Sequence, residues 1–159
     1  DFDMARYVTG SEVETVYATG GVRVDPAIGE AGDVDTAVVV LTHADGAITT
    51  IDNSRRAVYG YDQRVEAFGS NGSARSDNYH EHNAHIATGQ GVGRPPLQHF
   101  FLERYTQSYL DQWKAFVAMV ADGAPSPVTG ADGRAPLVIG LAAWQSLREH
   151  RPVRCEEIG

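Results

Sequence analysis

The chain has 159 residues and a formal charge of −8, with 42% hydrophobic and 21% charged residues. That is the composition of one ordinary globular domain with its own core, and it excludes a disordered, collagen-like or coiled-coil chain. The acidic balance argues against nucleic acid as a partner, no apolar run approaches the ~18 residues of a membrane span, and the single Cys155 excludes a disulfide framework or a Cys-based zinc site.

Asp1 to Val8 reads as a short helix, with Phe2, Ala5 and Arg6 at spacings of three and four and Thr9-Gly10-Ser11 as its stop. A helix so short needs a body to lie on. Its abrupt start on Asp1 rather than Met predicts a piece of a longer chain. Glu12 to Val24, rich in Val, Thr and Tyr, predicts one or two strands broken at Gly20-Gly21. Asp25 to Asp33 carries Pro26, Gly29 and Gly32 and predicts a loop. Asp35 to His43, around Ala37-Val38-Val39-Val40-Leu41, predicts a strand buried on both faces or a central one. Ala44-Asp45-Gly46-Ala47 is a hairpin turn, and Ile48 to Arg56 is the returning strand, which ends polar.

Gln63 to Gly69 predicts another strand, Ser70-Asn71-Gly72-Ser73 a hairpin turn, and Ala74 to Asn78 its short partner. His80 to Gln98, with Gly89, Gly91, Gly93, Pro95 and Pro96, predicts an irregular segment. From His99 the period changes. Leu102, Tyr105, Tyr109, Trp113, Phe116, Val117 and Val120 recur at three and four, marking an amphipathic helix with Tyr105 and Tyr109 as core aromatics, stopped by Asp122-Gly123-Ala124-Pro125. A second long helix follows the capping-like Thr129-Gly130-Ala131-Asp132. Pro136 belongs near a first turn, so the helix is expected to begin at about Asp132 to Arg134, with Leu137, Leu141, Trp144 and Leu147 (or Arg148) as its buried stripe. Val153 to Ile158 reads as a last short strand.

Strands in a run followed by helices in a run indicate an α+β fold. The tight turns predict an open, mostly antiparallel sheet with helices packed on one face. The other face is left for solvent, another domain or another subunit.

Gly89-Gln90-Gly91-Val92-Gly93 is no dinucleotide fingerprint, because Arg94-Pro95-Pro96 blocks the helix that must follow. His80, His82 and His85 have imidazoles for a metal, yet their spacing suits neither one helix face nor a strand pair, and no metal is expected there. Cys155 lies beside Glu156 and Glu157, which disfavours a thiolate nucleophile, and its reduced state suits the cytoplasm. Tyr59-Gly60-Tyr61-Asp62, preceded by Asn53-Ser54-Arg55-Arg56, gathers tyrosine hydroxyls, an amide and guanidinium forks, the groups a polyol site uses. Half-buried tyrosines at a strand end are the plainer account of the same residues. Arg104 sits near the start of its helix, against the helix dipole, which favours a carboxylate or ligand partner over free solvent no more than evenly.

Five stretches together resemble the C-terminal domain of the glucose-fructose oxidoreductase and inositol dehydrogenase family. They are Asp1-Phe2-Asp3-Met4-Ala5-Arg6-Tyr7-Val8-Thr9-Gly10, the Asp45-Gly46 hairpin, Tyr59-Gly60-Tyr61-Asp62 running into Val65-Glu66-Ala67-Phe68-Gly69-Ser70, Phe101-Leu102-Glu103-Arg104-Tyr105 with Tyr109 and Phe116, and Thr129-Gly130-Ala131-Asp132-Gly133 leading to Ala142-Ala143-Trp144-Gln145-Ser146. Arg151-Pro152-Val153 agrees as well. The opening helix and the Tyr-Gly-Tyr-Asp stretch are most like the inositol 2-dehydrogenases.

The resemblance implies an NAD- or NADP-dependent oxidoreductase acting on a cyclitol or sugar hydroxyl. This chain, residues 1–159, would be its substrate-binding and oligomerisation domain, partnered by an N-terminal Rossmann domain and by further copies through the sheet face. The family's acid/base histidine falls directly before the position of Asp1, an acidic partner four residues earlier, and the active-site lysine in the other domain. The isolated chain is therefore expected to be inactive and to bind no cofactor alone. The resemblance brings Asp3 next to the active site and Tyr61 near substrate hydroxyls. Asn53, Arg55 and Arg104 join them as candidates on polarity and placement. The competing expectation is a non-enzymatic binding or assembly module of the same fold.

Overall fold

The structure, a computed structural model, describes residues 1–159. The chain divides into two units, Asp1–Arg56 with Val128–Gly159, and Ala57–Pro127.

In the first unit, α1 spans Phe2–Thr9 and stops where expected. Gly10 takes the left-handed conformation (φ 65°), and its N–H closes the helix on the Arg6 carbonyl at 2.8 Å. β1 follows as one strand, Val13–Gly21, so the glycine pair ends the strand and does not split it. The segment expected as a loop contains a short helix, α2, Pro26–Glu30. Asp25 caps it by accepting from the Ala27 N–H, and Pro26 supplies the fixed φ of a first turn, so capping outweighs the glycines. β2 (Thr36–His43) and β3 (Ile48–Ser54) form the hairpin around Asp45-Gly46.

α4, Gly130–Glu149, returns to this unit after the second one. It begins earlier than Pro136 suggests, because Thr129 and Asp132 form a complete capping box that satisfies the first amides. Pro136 is carried inside the helix. The last strand is shorter than expected. β8 is Val153–Arg154, and a 3-10 turn takes over at Cys155–Glu157.

The sheet order is β3-β2-β1-β8, antiparallel throughout. Val16 and Ala18 of β1, Val39 and Leu41 of β2 and Val153 of β8 face α4, which buries Ile139, Ala142 and Ala143 against them. The face of α4 expected to be buried is only partly the one that is: Leu147 packs against the core and Trp144 is half-buried. Leu137 and Leu141 are exposed, because small residues let the helix approach the sheet closely. α1 packs on α4, with Ala5 in the core and Phe2 beside it. The opposite sheet face presents Tyr17, Val38 and Ile48 to solvent.

In the second unit, β4 (Val65–Gly69) and β5 (Gly72–Ser76) form the hairpin expected at Asn71-Gly72. The segment expected to be irregular contains a second small hairpin, β6 (Ile86–Thr88) with β7 (Gly91–Gly93), and an isolated bridge between His80 and Leu97. α3 runs Phe101–Asp122 and ends on Gly123. No residue of α3 is buried, and Tyr109, expected in the core, is exposed. No helix of the chain is long and apolar enough to cross a membrane.

Candidate functional site

The candidate residues fall into two clusters, one in each unit. In the first, β3 carries Asn53 out to the start of α1, where its amide Nδ2 donates to the Asp1 carboxylate at 2.9 Å. Asn53 lies opposite Ala37 in the sheet register, on the side that also carries Val39 and Leu41. Asp3, one turn into the helix, is gripped by Arg6 Nη1 at 2.8 Å. The same guanidinium forks onto Glu12 through Nε and Nη2, at 2.8 and 2.6 Å. Glu12 holds the Arg6 guanidinium above its ordinary value, and Arg6 in turn holds the Glu12 carboxyl down. The result is a fixed row of carboxylates, Asp1 and Asp3, at the opening of α1. Arg55, the third candidate here, does not join it. Its backbone N–H bonds the Asp35 carbonyl at 2.9 Å and its exposed side chain has no partner.

The second cluster is built on the turn before β4. Tyr61 donates its backbone N–H to the Gln98 carbonyl at 2.8 Å, and Gln98 donates to the Tyr79 carbonyl at 2.9 Å. Gly60 makes this possible. It has φ 127°, and a Cβ there would stand 2.7 Å from that of Leu97. The Tyr61 ring meets Tyr105 of α3 edge-on, with centroids 6.0 Å apart. Burial pushes the Tyr105 hydroxyl up to about 12, with Tyr61 adding to the shift. Arg104, the preceding residue, lays its guanidinium 3.8 Å over the Tyr79 ring. Its Nη1 is buried without a hydrogen-bond partner, as are the side-chain carbonyl oxygens of Gln63 and Gln98.

Tyr61 and Arg104 are therefore linked only indirectly, through Gln98 and Tyr79 and through Tyr105 beside Arg104 in α3, while at α1 Asn53 bonds Asp1 and Asp3 bonds Arg6. Asp62 and Asn78 form a hub that the sequence did not single out as such. The Asp62 carboxylate takes two bonds from Arg64 (2.8 and 3.0 Å), one from Asn78 (2.7 Å) and one from the Tyr59 hydroxyl. Chiefly because of Arg64, its pKa is held down at about 2. Asn78 accepts from the Gln63 N–H at 2.7 Å. Asp62 was visible in the Tyr-Gly-Tyr-Asp stretch, but nothing local points to a partner so far along the chain.

The remaining candidates have ordinary partners. His80 bonds the Pro95 carbonyl at 2.7 Å, and His82 accepts from the Ala84 N–H. No three His, Cys, Asp or Glu side chains converge as a metal site. Burial and then Glu12 push the Cys155 thiol up, away from a nucleophile. Gly89, Gly91 and Gly93 surround the β6-β7 turn and offer no strand-to-helix cradle for a pyrophosphate. Carboxylates, an amide, tyrosine hydroxyls and an arginine with an unspent donor recognise hydroxyl groups; they contain no activated nucleophile.

Residues 1–75 match the family model described as the GFO/IDH/MocA C-terminal domain. The chain is 54% identical to myo-inositol 2-dehydrogenase of Thermotoga maritima over 158 residues, which is 99% of this chain and 47% of that protein. A crystal structure of a probable dehydrogenase from Thermotoga maritima superposes with a TM-score of 0.97 at 53% identity, covering all of this chain and 48% of that one. A scyllo-inositol dehydrogenase from Lactobacillus casei, solved with bound NAD(H) and scyllo-inositol, superposes with a TM-score of 0.89 at 25% identity, covering 98% of this chain and 46% of that one. The chain thus spans about half the length of the relatives it matches. The open antiparallel sheet with helices on one face is the fold that this chain shares with that dehydrogenase.

Proposed function

We propose that this chain is the substrate-side half of an NAD-dependent oxidoreductase that oxidises a ring hydroxyl of a cyclitol, with inositol as the first choice and a sugar as the second. The observation that carries this reading is the 54% identity to a myo-inositol 2-dehydrogenase along almost the whole chain. The two polar clusters support it. Asp3 and Asn53, each held near Asp1 at the opening of α1, offer acceptors and a donor to substrate hydroxyls, and Arg55, apart from them, is proposed to offer a charge. Tyr61 and Arg104 offer a hydroxyl and the unspent Nη1 donor.

The residues of this chain do not fit a dinucleotide, so the nicotinamide cofactor and the proton-transferring group are assigned to the other half of the parent. NAD is preferred over NADP because the inositol-bound relative holds NAD(H). The parent is read as a cytoplasmic homo-oligomer in which copies meet through the open sheet face. Tyr17, Val38 and Ile48 are exposed there and give that face an apolar surface to bury.

The test is a spectrophotometric assay of NAD reduction by the two-domain protein that carries this sequence. It is run with myo-inositol, scyllo-inositol and glucose, and with NADP in place of NAD. Turnover of an inositol with NAD supports the reading. Turnover of none of these substrates with either cofactor leaves a binding or assembly module.

A further inference from the structure

Every side-chain nitrogen of Arg6 is engaged, and the partners come from three parts of the first unit. Nε and Nη2 donate to the two oxygens of Glu12, just beyond the end of α1, in a side-on fork. Nη2 also lies 3.8 Å from Oδ1 of Asp132, in the first turn of α4. Nη1 is left for Asp3, which it holds by Oδ1 at 2.8 Å. The Arg6 side chain is only 13% exposed.

A bidentate fork fixes the plane of a guanidinium, so the Glu12 pair decides where Nη1 stands. Asp132 is held in its turn. Its other oxygen accepts from the N–H and the hydroxyl of Thr129, at 2.8 and 2.7 Å, in the capping box of α4. Three carboxylates gathered this closely would repel one another without the cation between them. Asp3 therefore takes its direction from a frame anchored at the end of α1 and at the start of α4. Its second oxygen, Oδ2, receives no hydrogen bond from the chain.

We propose that Arg6 is a positioning residue for the substrate: it aims the Oδ2 acceptor of Asp3 at one hydroxyl of the cyclitol, and it takes its own direction from Glu12 and Asp132. The inference rests on the proposed function, in which Asp3 binds substrate, and adds the groups that give Asp3 a single orientation. An acceptor ordered beforehand loses less entropy when the substrate arrives, so the effect belongs in KM. Arg6 is not what seats the helix. Ala5 lies in the core with Phe2 beside it, and the Phe2 ring stands next to Gly140 of α4. Gly10 closes the last turn on the Arg6 carbonyl, a backbone bond that a side-chain substitution keeps.

The test is a double-mutant cycle in the two-domain protein that carries this sequence, read as KM for myo-inositol at saturating NAD. Asp3→Asn raises KM about tenfold and Arg6→Gln about fivefold. The double variant stays near tenfold, because Arg6 acts through Asp3. A product of the two effects, about fiftyfold, overturns the positioning role. So does an unchanged KM in Arg6→Gln. Arg6→Lys closes a second cycle if circular dichroism shows the Gln variant unfolded. One ammonium cannot fork onto Glu12 and hold Asp3 in the same plane, so KM rises with Asp3 present and no further in the Asp3→Asn background. Ser146→Ala, which frees the Ala18 N–H from α4, separates orientation from stability. It lowers Tm and leaves KM within about twofold; a rise equal to that of Arg6→Gln means that KM follows stability, and overturns the proposal. Absence of turnover of any inositol by the unmutated protein defeats the proposed function itself, and this inference with it.

Discussion

Ser146, wholly buried on α4, accepts a hydrogen bond at 2.9 Å from the backbone N–H of Ala18, in the middle of β1. The same hydroxyl donates to the Arg151 carbonyl at 2.6 Å. One side chain thus fixes the helix to the strand and to the turn that leads into β8. Ser146→Ala leaves a buried donor and a buried acceptor without partners and is expected to cost about 1–3 kcal/mol. Urea unfolding measures it. Leu141→Ala, on the exposed face of the same helix, is expected to stay within about 0.5 kcal/mol. Ile139→Ala, in the core, is expected to lose about 2–5 kcal/mol. If Leu141→Ala costs more than Ser146→Ala, the assignment of the buried face is wrong.

Asp35 ties β2 to the segment that enters α2. Burial by itself pushes its carboxyl up, but the N–H groups of Asp25, Arg23 and Val24 and the Thr36 hydroxyl outweigh it and hold the group at about 2. The folded value lies below the ordinary carboxylate value near 4. Its stabilisation is therefore complete above about pH 4 and is lost as the pH falls towards 2. Asp35→Asn, which orphans at least one N–H, is expected to lower Tm at pH 7. The two proteins should converge as the pH approaches 2. Parallel Tm curves across that range would remove Asp35 from the acid transition.

Gly60 has a positive φ and no room for a Cβ beside Leu97. Gly60→Ala is expected to cost the second unit about 1–3 kcal/mol. Hydrogen exchange should show faster opening at Tyr61 and Gln98, whose amides lie in the displaced bridge, with little change in β1 or β2. Uniform loss of protection over the whole chain would contradict a local role.

In the two-domain protein, Tyr61→Phe and Arg104→Gln each delete a donor aimed at substrate under the proposed function. Each is expected to raise KM about tenfold, the worth of one hydrogen bond or slightly more. Arg104→Lys is expected to restore little, because the flat guanidinium stacked on Tyr79 is what aims Nη1. Unchanged KM in both variants would leave Tyr61 and Arg104 as packing residues of their unit.

What the sequence determined by itself was local chemistry. The stop of α1 at Gly10, the turns at Asp45-Gly46 and Asn71-Gly72, and the cap at Thr129 were all legible, because each depends on a few neighbouring residues. The α+β class followed from the order of such signals, and the resemblance to a family from five stretches in register. Asp25-Pro26 was also a local helix start, but the glycines around it masked the signal. Within the candidate sites, Asn53 and Tyr61 could be named from polarity, yet their partners Asp1, Gln98 and Tyr105 are far away along the chain. Tertiary structure alone decided those pairings. It also decided which face of α4 is buried, since a period of three and four fits the leucines as well as the small residues, and only close approach to the sheet selects Ala142, Ala143 and Ser146. For the same reason the apolar period of α3 announced a buried stripe, whereas no residue of that helix is buried. Hydrophobic spacing records that a surface must be covered, and three-dimensional packing determines by what.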